Sequence, residues 1–191
     1  MTPLLIDQKH KDNLARTGVS RQFQQELRCS HAGETGAVWI YRGILAARPN
    51  GALLEFAREH LQTEQQHLGM FDDLSVCYRR SLMLPLWRLA GFLTGFLPSL
   101  IGKNAVFATI EAVETFVDLH YQAQIQSLSP CVHREAERAI LDLFETCRLD
   151  EVAHRDDAAQ RRTGKPTASM SLWTTMVGGG SRSAVSLARF L

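Results

Sequence analysis

Apolar residues recur every three to four positions along most of this chain, which is the period of an α-helix. Alternating runs of β-branched residues between turn signals, which are typical of strands, are missing from the sequence. The pattern therefore predicts an all-α fold with a central four-helix bundle. Its helices are expected at about residues 20–47, 51–78, 103–128 and 129–161.

The residue types at the helix ends support these bounds. Ser20 is a favourable N-cap for the first helix, and Pro49-Asn50-Gly51 is expected to end it. Pro130 suits the first turn of the fourth helix, because a proline there loses no helical hydrogen bond.

Each apolar stripe contains polar side chains at positions that face the bundle interior. In the third helix both Glu111 and Glu114 lie beside or within the stripe, and the spacing does not choose between them. The other inward polar residues are Glu34 in the first helix, Glu64 and His67 in the second, and Glu151 and His154 in the fourth. Buried carboxylates without a counter-charge would each lose several kcal/mol of hydration, so this interior requires cations.

The motif Glu-x-x-His occurs twice, at Glu64-Gln65-Gln66-His67 and at Glu151-Val152-Ala153-His154. Helical residues three apart lie on the same side, about 4.5 Å apart along the axis, so both can bind one ion. One such motif alone is usually a solvated helix face. Two of them, with one inward glutamate from each remaining helix, match the ligand set of ferritin-like di-metal proteins. Ligation by carboxylates and imidazoles favours iron or manganese, and two divalent ions would neutralise four glutamates.

Length and composition limit the class of protein. The chain has 191 residues, of which 45% are hydrophobic and 21% charged, as expected for a globular protein. These values exclude a disordered chain, a polytopic membrane protein and a two-lobed enzyme. We expect one domain over residues 1–191, with the bundle at about 20–161 and a C-terminal membrane-associating helix at about 168–191. The four cysteines form no Cys-x-x-Cys pair, which favours a reducing compartment.

Charge is distributed unevenly along the chain. The net charge of +1 gives no reason to expect a nucleic-acid partner. Residues 74–110 and 161–191 contain no acidic residue, carry several basic ones and are rich in large apolar side chains. This combination is typical of segments that lie at a membrane surface.

Two apolar segments lie beside the predicted bundle. Residues 89–102 are uncharged over 14 positions, which is too short to cross a bilayer comfortably. The segment 82–101 therefore lies either in the membrane interface or in the protein core, and the sequence leaves both open. Residues 172–191 predict an amphipathic helix broken at Gly178-Gly179-Gly180. The N-terminus carries no secretion or import signal, so we expect the mature chain to start near Met1.

Several short motifs follow one another in a characteristic order from about Arg21 to Asp157. They are His31-Ala32-Gly33-Glu34, Gly36-Ala37, Ile40-Tyr41, Glu64-x-x-His67, Val113-Glu114, His120-Tyr121, and Arg148 with Glu151-x-x-His154. With the tail at 187–191, this order resembles the demethoxyubiquinone hydroxylases of ubiquinone biosynthesis, which are ferritin-like di-iron proteins at a membrane surface. The resemblance favours Glu114 over Glu111 as the ligand of the third helix.

The resemblance implies hydroxylation of the ring of demethoxyubiquinone, or of its quinol, with O2 and with electrons ultimately from NADH. The residues that would hold the two iron ions are Glu34, Glu64, His67, Glu114, Glu151 and His154. His120 and Tyr121 become candidates to pass electrons or protons to the irons, although Tyr121 can equally be a packed core tyrosine. Arg148 either pairs with a ligating carboxylate or is an exposed helix arginine. No Gly-rich dinucleotide motif is visible, so NADH would either meet the protein without a Rossmann site or pass electrons through the quinone itself.

The implied location is the surface of a membrane, either the cytoplasmic face of a bacterial inner membrane or the matrix face of the mitochondrial one. Residues 82–101 and the C-terminal helix would then admit a polyprenyl quinone from the bilayer. Other ubiquinone-biosynthesis proteins and further copies of the chain are additional partners that this function allows.

Two other functions would use the same residues. A ferritin-like iron-handling or peroxide-scavenging protein needs the ligands but no route for a lipid. A helical membrane-associated scaffold would use the same glutamates and histidines only as structural groups.

Overall fold

The fold is known from a computed structural model that describes residues 18–163 and 170–179. Within these ranges the regular structure is entirely helical, which confirms the all-α prediction. The helices are α1 (Arg21–Ala46), α2 (Gly51–Asp73), α3 (Leu84–Ile101), α4 (Lys103–Leu128), α5 (Glu135–Arg161) and α6 (170–179), and a 3-10 turn (Ser129–Cys131) precedes α5.

Helices α1, α2, α4 and α5 form a bundle of the ferritin-like type, and α3 packs along the outside of α1. The bundle interior contains two apolar clusters. One includes Phe23, Phe71 and Phe144, and the other includes Ile44 and Phe107. Along each of the four bundle helices, the residues between the two clusters include buried glutamates. The bundle therefore has a polar layer near its middle, closed by apolar side chains above and below.

The predicted start of α1 is confirmed, whereas the predicted end of α2 at Tyr78 is wrong. The Ser20 hydroxyl accepts a hydrogen bond from the backbone N–H of Phe23 at 3.5 Å. Helix α2 ends at Asp73, and the Tyr78 hydroxyl donates to the carbonyl of Phe71 at 2.8 Å. Because a side chain beyond the helix satisfies this terminal carbonyl, the chain turns five residues earlier than the apolar spacing predicts.

The predicted start of α5 at Ser129 or Pro130 is also wrong. Those residues form the 3-10 turn, and α5 begins at Glu135. The Glu137 carboxylate in the first turn of α5 accepts a hydrogen bond from the backbone N–H of His133 at 2.9 Å, which holds the residues before the helix against its first turn.

Helix α3 has one packed face and one exposed face, so it is not a core helix buried on all sides. Gly95 lies so close to α1 that a Cβ atom there would be 1.9 Å from the carbonyl oxygen of Ile40. The exposed face carries Leu86, Leu89, Leu93, Leu97, Leu100 and Ile101. Of the helices in the described ranges, α3 alone has the length and apolarity of a membrane-crossing helix, and 17% of it is buried. Gly102, at φ 139°, permits the sharp change of direction into α4.

The described part of the C-terminal segment is helical at 170–179, and Trp173 donates to the Thr109 hydroxyl of α4 at 2.9 Å. The predicted break at the glycines does not occur at Gly178 or Gly179, because both continue the helix. Gly180, the rest of the predicted C-terminal helix and the expectation about the start of the chain lie outside the described residues.

Candidate metal centre

Six side chains meet in the polar layer of the bundle, and none of their residues is more than 6% exposed. They are Glu34 from α1, Glu64 and His67 from α2, Glu114 from α4, and Glu151 and His154 from α5. All six were expected from the sequence to meet at a shared centre. The excluded alternative, Glu111, lies partly exposed at the bundle surface with its Oε2 3.0 Å from Arg162 Nε.

The six residues form two overlapping groups. In the first group, Glu34 and His67 meet Glu64 and Glu151, and one donor atom from each residue lies within 4.8 Å of the others. In the second group, Glu114 and His154 meet the same two glutamates within the same distance. Two adjacent cations could therefore share Glu64 and Glu151, while each keeps one further glutamate and one histidine.

The helical repeat explains this arrangement. Residues three apart project from the same side of a helix, so each Glu-x-x-His motif directs both side chains into the layer. Nδ1 of His67 lies 3.2 Å from Glu151 Oε1, and Nδ1 of His154 lies 3.2 Å from Glu151 Oε2. Both imidazoles therefore face the same carboxylate through the same ring nitrogen.

Three buried carboxylate oxygens in the layer accept no hydrogen bond, namely Glu34 Oε2 and both oxygens of Glu64. His67 Nδ1 is 3.5 Å from Glu34 Oε2 and His154 Nδ1 is 3.0 Å from Glu64 Oε1, but neither contact has hydrogen-bond geometry. Donor atoms that point at a common space without bonding to one another are arranged as metal ligands are. The donor set, with four carboxylates and two imidazoles, fits iron or manganese.

The pKa values of several groups in the layer are raised, which means that the layer retains protons in the absence of metal. Burial raises the pKa of Glu64 to about 8, and the neighbouring charge of Glu151 adds to the shift. Burial and the charges of Glu151 and Glu64 likewise raise the pKa of Glu114. Burial would lower the pKa of His154, but the hydrogen bond with Glu151 and the negative charges of Glu64 and Glu151 raise it to about 11. Protons therefore neutralise the layer when no metal does, and a metal ion must displace them.

Two tyrosines hold the two glutamates that are not shared. The Tyr121 hydroxyl on α4 donates to Glu34 Oε1 on α1. Reciprocally, the Tyr41 hydroxyl on α1 lies 3.4 Å from Glu114 Oε1 on α4 and donates to it. Burial is the main cause that raises the pKa of both phenols, so both stay protonated and act as donors. Tyr121 was a candidate from the sequence, whereas Tyr41 was named only as part of a motif, although each tyrosine follows its own helix's glutamate by seven residues.

The outer faces of the two histidines have different partners. Nε2 of His67 lies 3.1 Å from Asp150 Oδ2, a contact that orients the ring with Nδ1 toward the layer. His154 stacks on His60 with ring centroids 4.1 Å apart, and His60 Nε2 lies 3.0 Å from Asp157 Oδ2. Burial lowers the pKa of His60 to about 4, so this ring is neutral at pH 7. None of these outer residues was identified from the sequence, because each lies outside the repeated motif.

His120 does not reach the polar layer. Its Nε2 lies 3.5 Å from Cys29 Sγ, and its ring stacks on Phe116 at 5.9 Å between centroids. Arg148 binds Asp118 at 2.8 Å and Glu145 at 2.7 Å, so neither predicted alternative for it holds. It is partly buried and joins α5 to α4 without touching a proposed ligand.

An apolar cavity of about 390 Å³ lies among α1, α3, α4 and α6. On α1 the lining includes Gly33 and Gly36, which lie on either side of Glu34 in the chain. On α4 it includes Val113 and Phe116, which lie on either side of Glu114. Trp87 of α3 also lines it, and the buried indole Nε1 of this residue has no hydrogen-bond partner. The cavity can hold a largely apolar molecule beside the polar layer.

Residues 21–188 of the chain match the family of ubiquinone biosynthesis protein COQ7. The chain belongs to this family. Among its COQ7 relatives, it is 31% identical over 156 residues to the mitochondrial NADPH-dependent 3-demethoxyubiquinone 3-hydroxylase of Dictyostelium discoideum, covering 81% of this chain and 69% of the relative. The human protein of the same name is 33% identical over 76% of this chain and 65% of its own length. The 3-demethoxyubiquinol 3-hydroxylase of Rhodospirillum rubrum is 38% identical over 68% of this chain and 60% of its own length.

The family that the motifs indicated is thus confirmed for nearly the whole chain. The chain spans roughly two thirds of the length of these COQ7 relatives.

Proposed function

We propose that this protein is a di-iron monooxygenase that hydroxylates the ring of demethoxyubiquinone, or of its quinol, with O2. The observation that carries the proposal is the pair of buried four-residue groups that share Glu64 and Glu151. Membership of the COQ7 family and the names of the relatives support the substrate class.

The proposed iron ligands are Glu34, Glu64, His67, Glu114, Glu151 and His154. When bound, the two iron ions supply the capacity to reduce O2. The chain contributes the positions of the ligands, because Tyr121 and Tyr41 hold the unshared glutamates at one oxygen each. The apolar clusters above and below keep water from the layer, which protects reactive species from side reactions.

The cavity is the proposed substrate site. Its apolar lining suits a quinone ring with a polyprenyl tail, and the Trp87 Nε1–H can donate to a ring oxygen. Trp87→Phe keeps an aromatic wall without the donor, so it is expected to raise KM severalfold with little change in iron content.

We further propose that α3 lies at a membrane surface, as an interfacial rather than a spanning segment. Its exposed leucines form one face, and the exposed Arg79, Arg88 and Lys103 lie near its ends or on it. Such a surface suits anionic lipids and allows a lipid-soluble quinone to enter from the bilayer. The relatives' names place several of them in mitochondria, so the proposed location is a matrix-facing membrane or the corresponding cytoplasmic face in a bacterium.

A reduced nicotinamide is the proposed source of electrons. NADH was expected from the sequence, whereas the names of the mitochondrial relatives specify NADPH. Direct comparison of the two reductants under the same conditions decides between them.

The decisive experiment combines complementation with an isotope assay. Expressed in a strain that lacks demethoxyubiquinone hydroxylase, the chain is expected to restore ubiquinone. The purified iron-loaded protein should insert one 18O atom from 18O2 into the ring of a short-chain demethoxyquinone. Glu64→Ala should fail in both assays, and Glu59→Ala, at an exposed position of the same helix, should behave as wild type.

Two results together would instead support the iron-handling alternative. The purified protein would oxidise iron without hydroxylating the quinone, and the complemented strain would still accumulate demethoxyubiquinone.

A further inference from the structure

A second cluster of metal-binding side chains lies away from the polar layer. Glu26 and Cys29 are one turn apart on α1, and His120 approaches them from α4. One donor atom from each residue lies within 4.8 Å of the other two. Glu26 is 7% and Cys29 1% exposed, whereas His120 is half-buried. None of the three belongs to the proposed iron ligands.

The distance between the two softer donors is that of a shared ion. Cys29 Sγ lies 3.5 Å from His120 Nε2. Zinc bonds of about 2.3 Å to sulfur and about 2.0 Å to nitrogen, at a tetrahedral angle, separate these two atoms by about 3.5 Å. The thiol and the imidazole therefore already lie at the separation that a shared zinc ion requires.

Neighbouring side chains hold two of the three donors in place. The Gln124 amide donates to Glu26 Oε2 at 2.9 Å and fixes the orientation of this carboxylate. The Phe116 ring lies nearly parallel to the His120 imidazole, at 9°, and limits its rotation. Outer contacts of this kind are typical of metal ligands.

We propose that Glu26, Cys29 and His120 form a separate site for a zinc-like divalent ion, which links α1 to α4 at the wall of the cavity. A thiolate, an imidazole and a carboxylate favour zinc over the hard cations magnesium and calcium. The thiolate and the carboxylate balance the charge of one divalent ion, and three protein ligands leave a fourth position open. Cys29 also lines the cavity, so the ion would lie beside its occupant. This inference does not depend on the proposed oxygenase function.

Cobalt(II) is the probe that separates this site from the polar layer. The six proposed iron ligands include no cysteine, so cobalt bound at Cys29 is expected to give a thiolate-to-metal charge-transfer band while iron fills the layer. The purified full-length chain, loaded with iron, should bind about one Co²⁺ or Zn²⁺ per chain and show this band with cobalt. Zinc should also raise the Tm.

Cys29→Ser is expected to abolish the band and the zinc-dependent rise in Tm while the iron content stays unchanged. Cys131→Ser is the matched control, because this partly exposed cysteine lies in the 3-10 turn outside the cluster. Glu26→Gln retains the shape of the side chain and should weaken zinc binding at least about tenfold, which guards against a folding defect in the cysteine variant.

A band that survives Cys29→Ser would overturn the proposal. So would the absence of stoichiometric zinc binding at micromolar concentration.

Discussion

The half of the centre that contains Glu34 and His67 and the half that contains Glu114 and His154 have the same donors but different surroundings. In the first half, the outer partner of His67 is Asp150, whose side chain is 50% exposed. In the second half, His154 stacks on buried His60, which in turn contacts Asp157. The first half therefore connects to solvent through one carboxylate, and the second is enclosed by an aromatic ring. A repeated motif creates equivalent ligands but does not create equivalent sites.

Substitution of a proposed ligand that both halves share should prevent iron binding in both halves and give the largest effect. Glu151→Gln keeps the shape of the side chain but removes a charge from both four-residue groups. We expect iron to fall from two ions per chain to nearly none and activity to fall more than about 100-fold, beyond the loss typical of an outer partner. Metal analysis with the oxygenase assay measures both values.

Glu145→Gln is the matched control on α5, because Glu145 contacts Arg148 rather than the layer. Retention of two firmly bound irons by Glu151→Gln would contradict the shared position of this carboxylate.

The pH dependence of the metal-free protein tests how the two halves are neutralised. Folding raises the pKa of Glu64 to about 8 and that of His154 to about 11, so between pH 7 and 9 the folded state holds protons that the unfolded state has released. Stability should therefore fall as pH rises through this window, on the order of 1 kcal/mol per pH unit for each extra proton.

The iron-loaded protein should lose less stability over the same range, because the ions replace those protons. Urea denaturation at pH 7, 8 and 9, with and without iron, measures the difference. Parallel curves for the two forms would count against cation replacement.

The reciprocal tyrosines allow the halves to be compared by the same substitution. Tyr41→Phe and Tyr121→Phe each remove one hydroxyl that bonds a buried glutamate, at an expected cost of about 1 to 2 kcal/mol in unfolding free energy. If Tyr121 also passes electrons or protons, its variant should lose much more turnover than Tyr41→Phe at the same iron content.

Single-turnover kinetics on iron-loaded variants separates the two roles. Equal losses of turnover in both variants would reduce Tyr121 to a positioning residue.

The outer carboxylate of the first half should have the smallest effect. Asp150→Asn weakens the contact that orients His67, and we expect roughly tenfold weaker binding of one iron ion, at the low end for such partners because Asp150 is half-exposed. Competition with a chelator measures the two affinities separately. Asp142→Asn, exposed on the same helix, is the control. An equal loss at both ions would show that the halves are coupled and not distinct.

The sequence predicted which side chains enter the polar layer better than it predicted the ends of the helices. Glu64, His67, Glu151 and His154 meet as expected, because the spacing within each motif defines one face of a helix. At the end of α2 the Tyr78 hydroxyl bonds a terminal carbonyl, and before α5 the residues Ser129–Cys131 form a 3-10 turn. Such local structure competes with the apolar period and is not visible in it.

The residues that the sequence did not reveal are mainly those that contact the layer from a neighbouring helix. Tyr41 repeats on α1 the spacing of Glu114 and Tyr121 on α4, so a comparison of the two helices would have identified it. His60, Asp150 and Asp157 carry no comparable signal, since their roles depend on a neighbouring helix.

By itself, the sequence determined the helical class, the family and the residues that enter the polar layer, because intervals of three or four positions translate directly into a helix face. Only the tertiary structure decided which carboxylates are shared, which tyrosine bonds which glutamate, and that His120 faces Cys29. These contacts depend on the rotation of each helix about its axis and on its distance from its neighbours. Both quantities are set by the packing of the whole interior, which no local interval encodes.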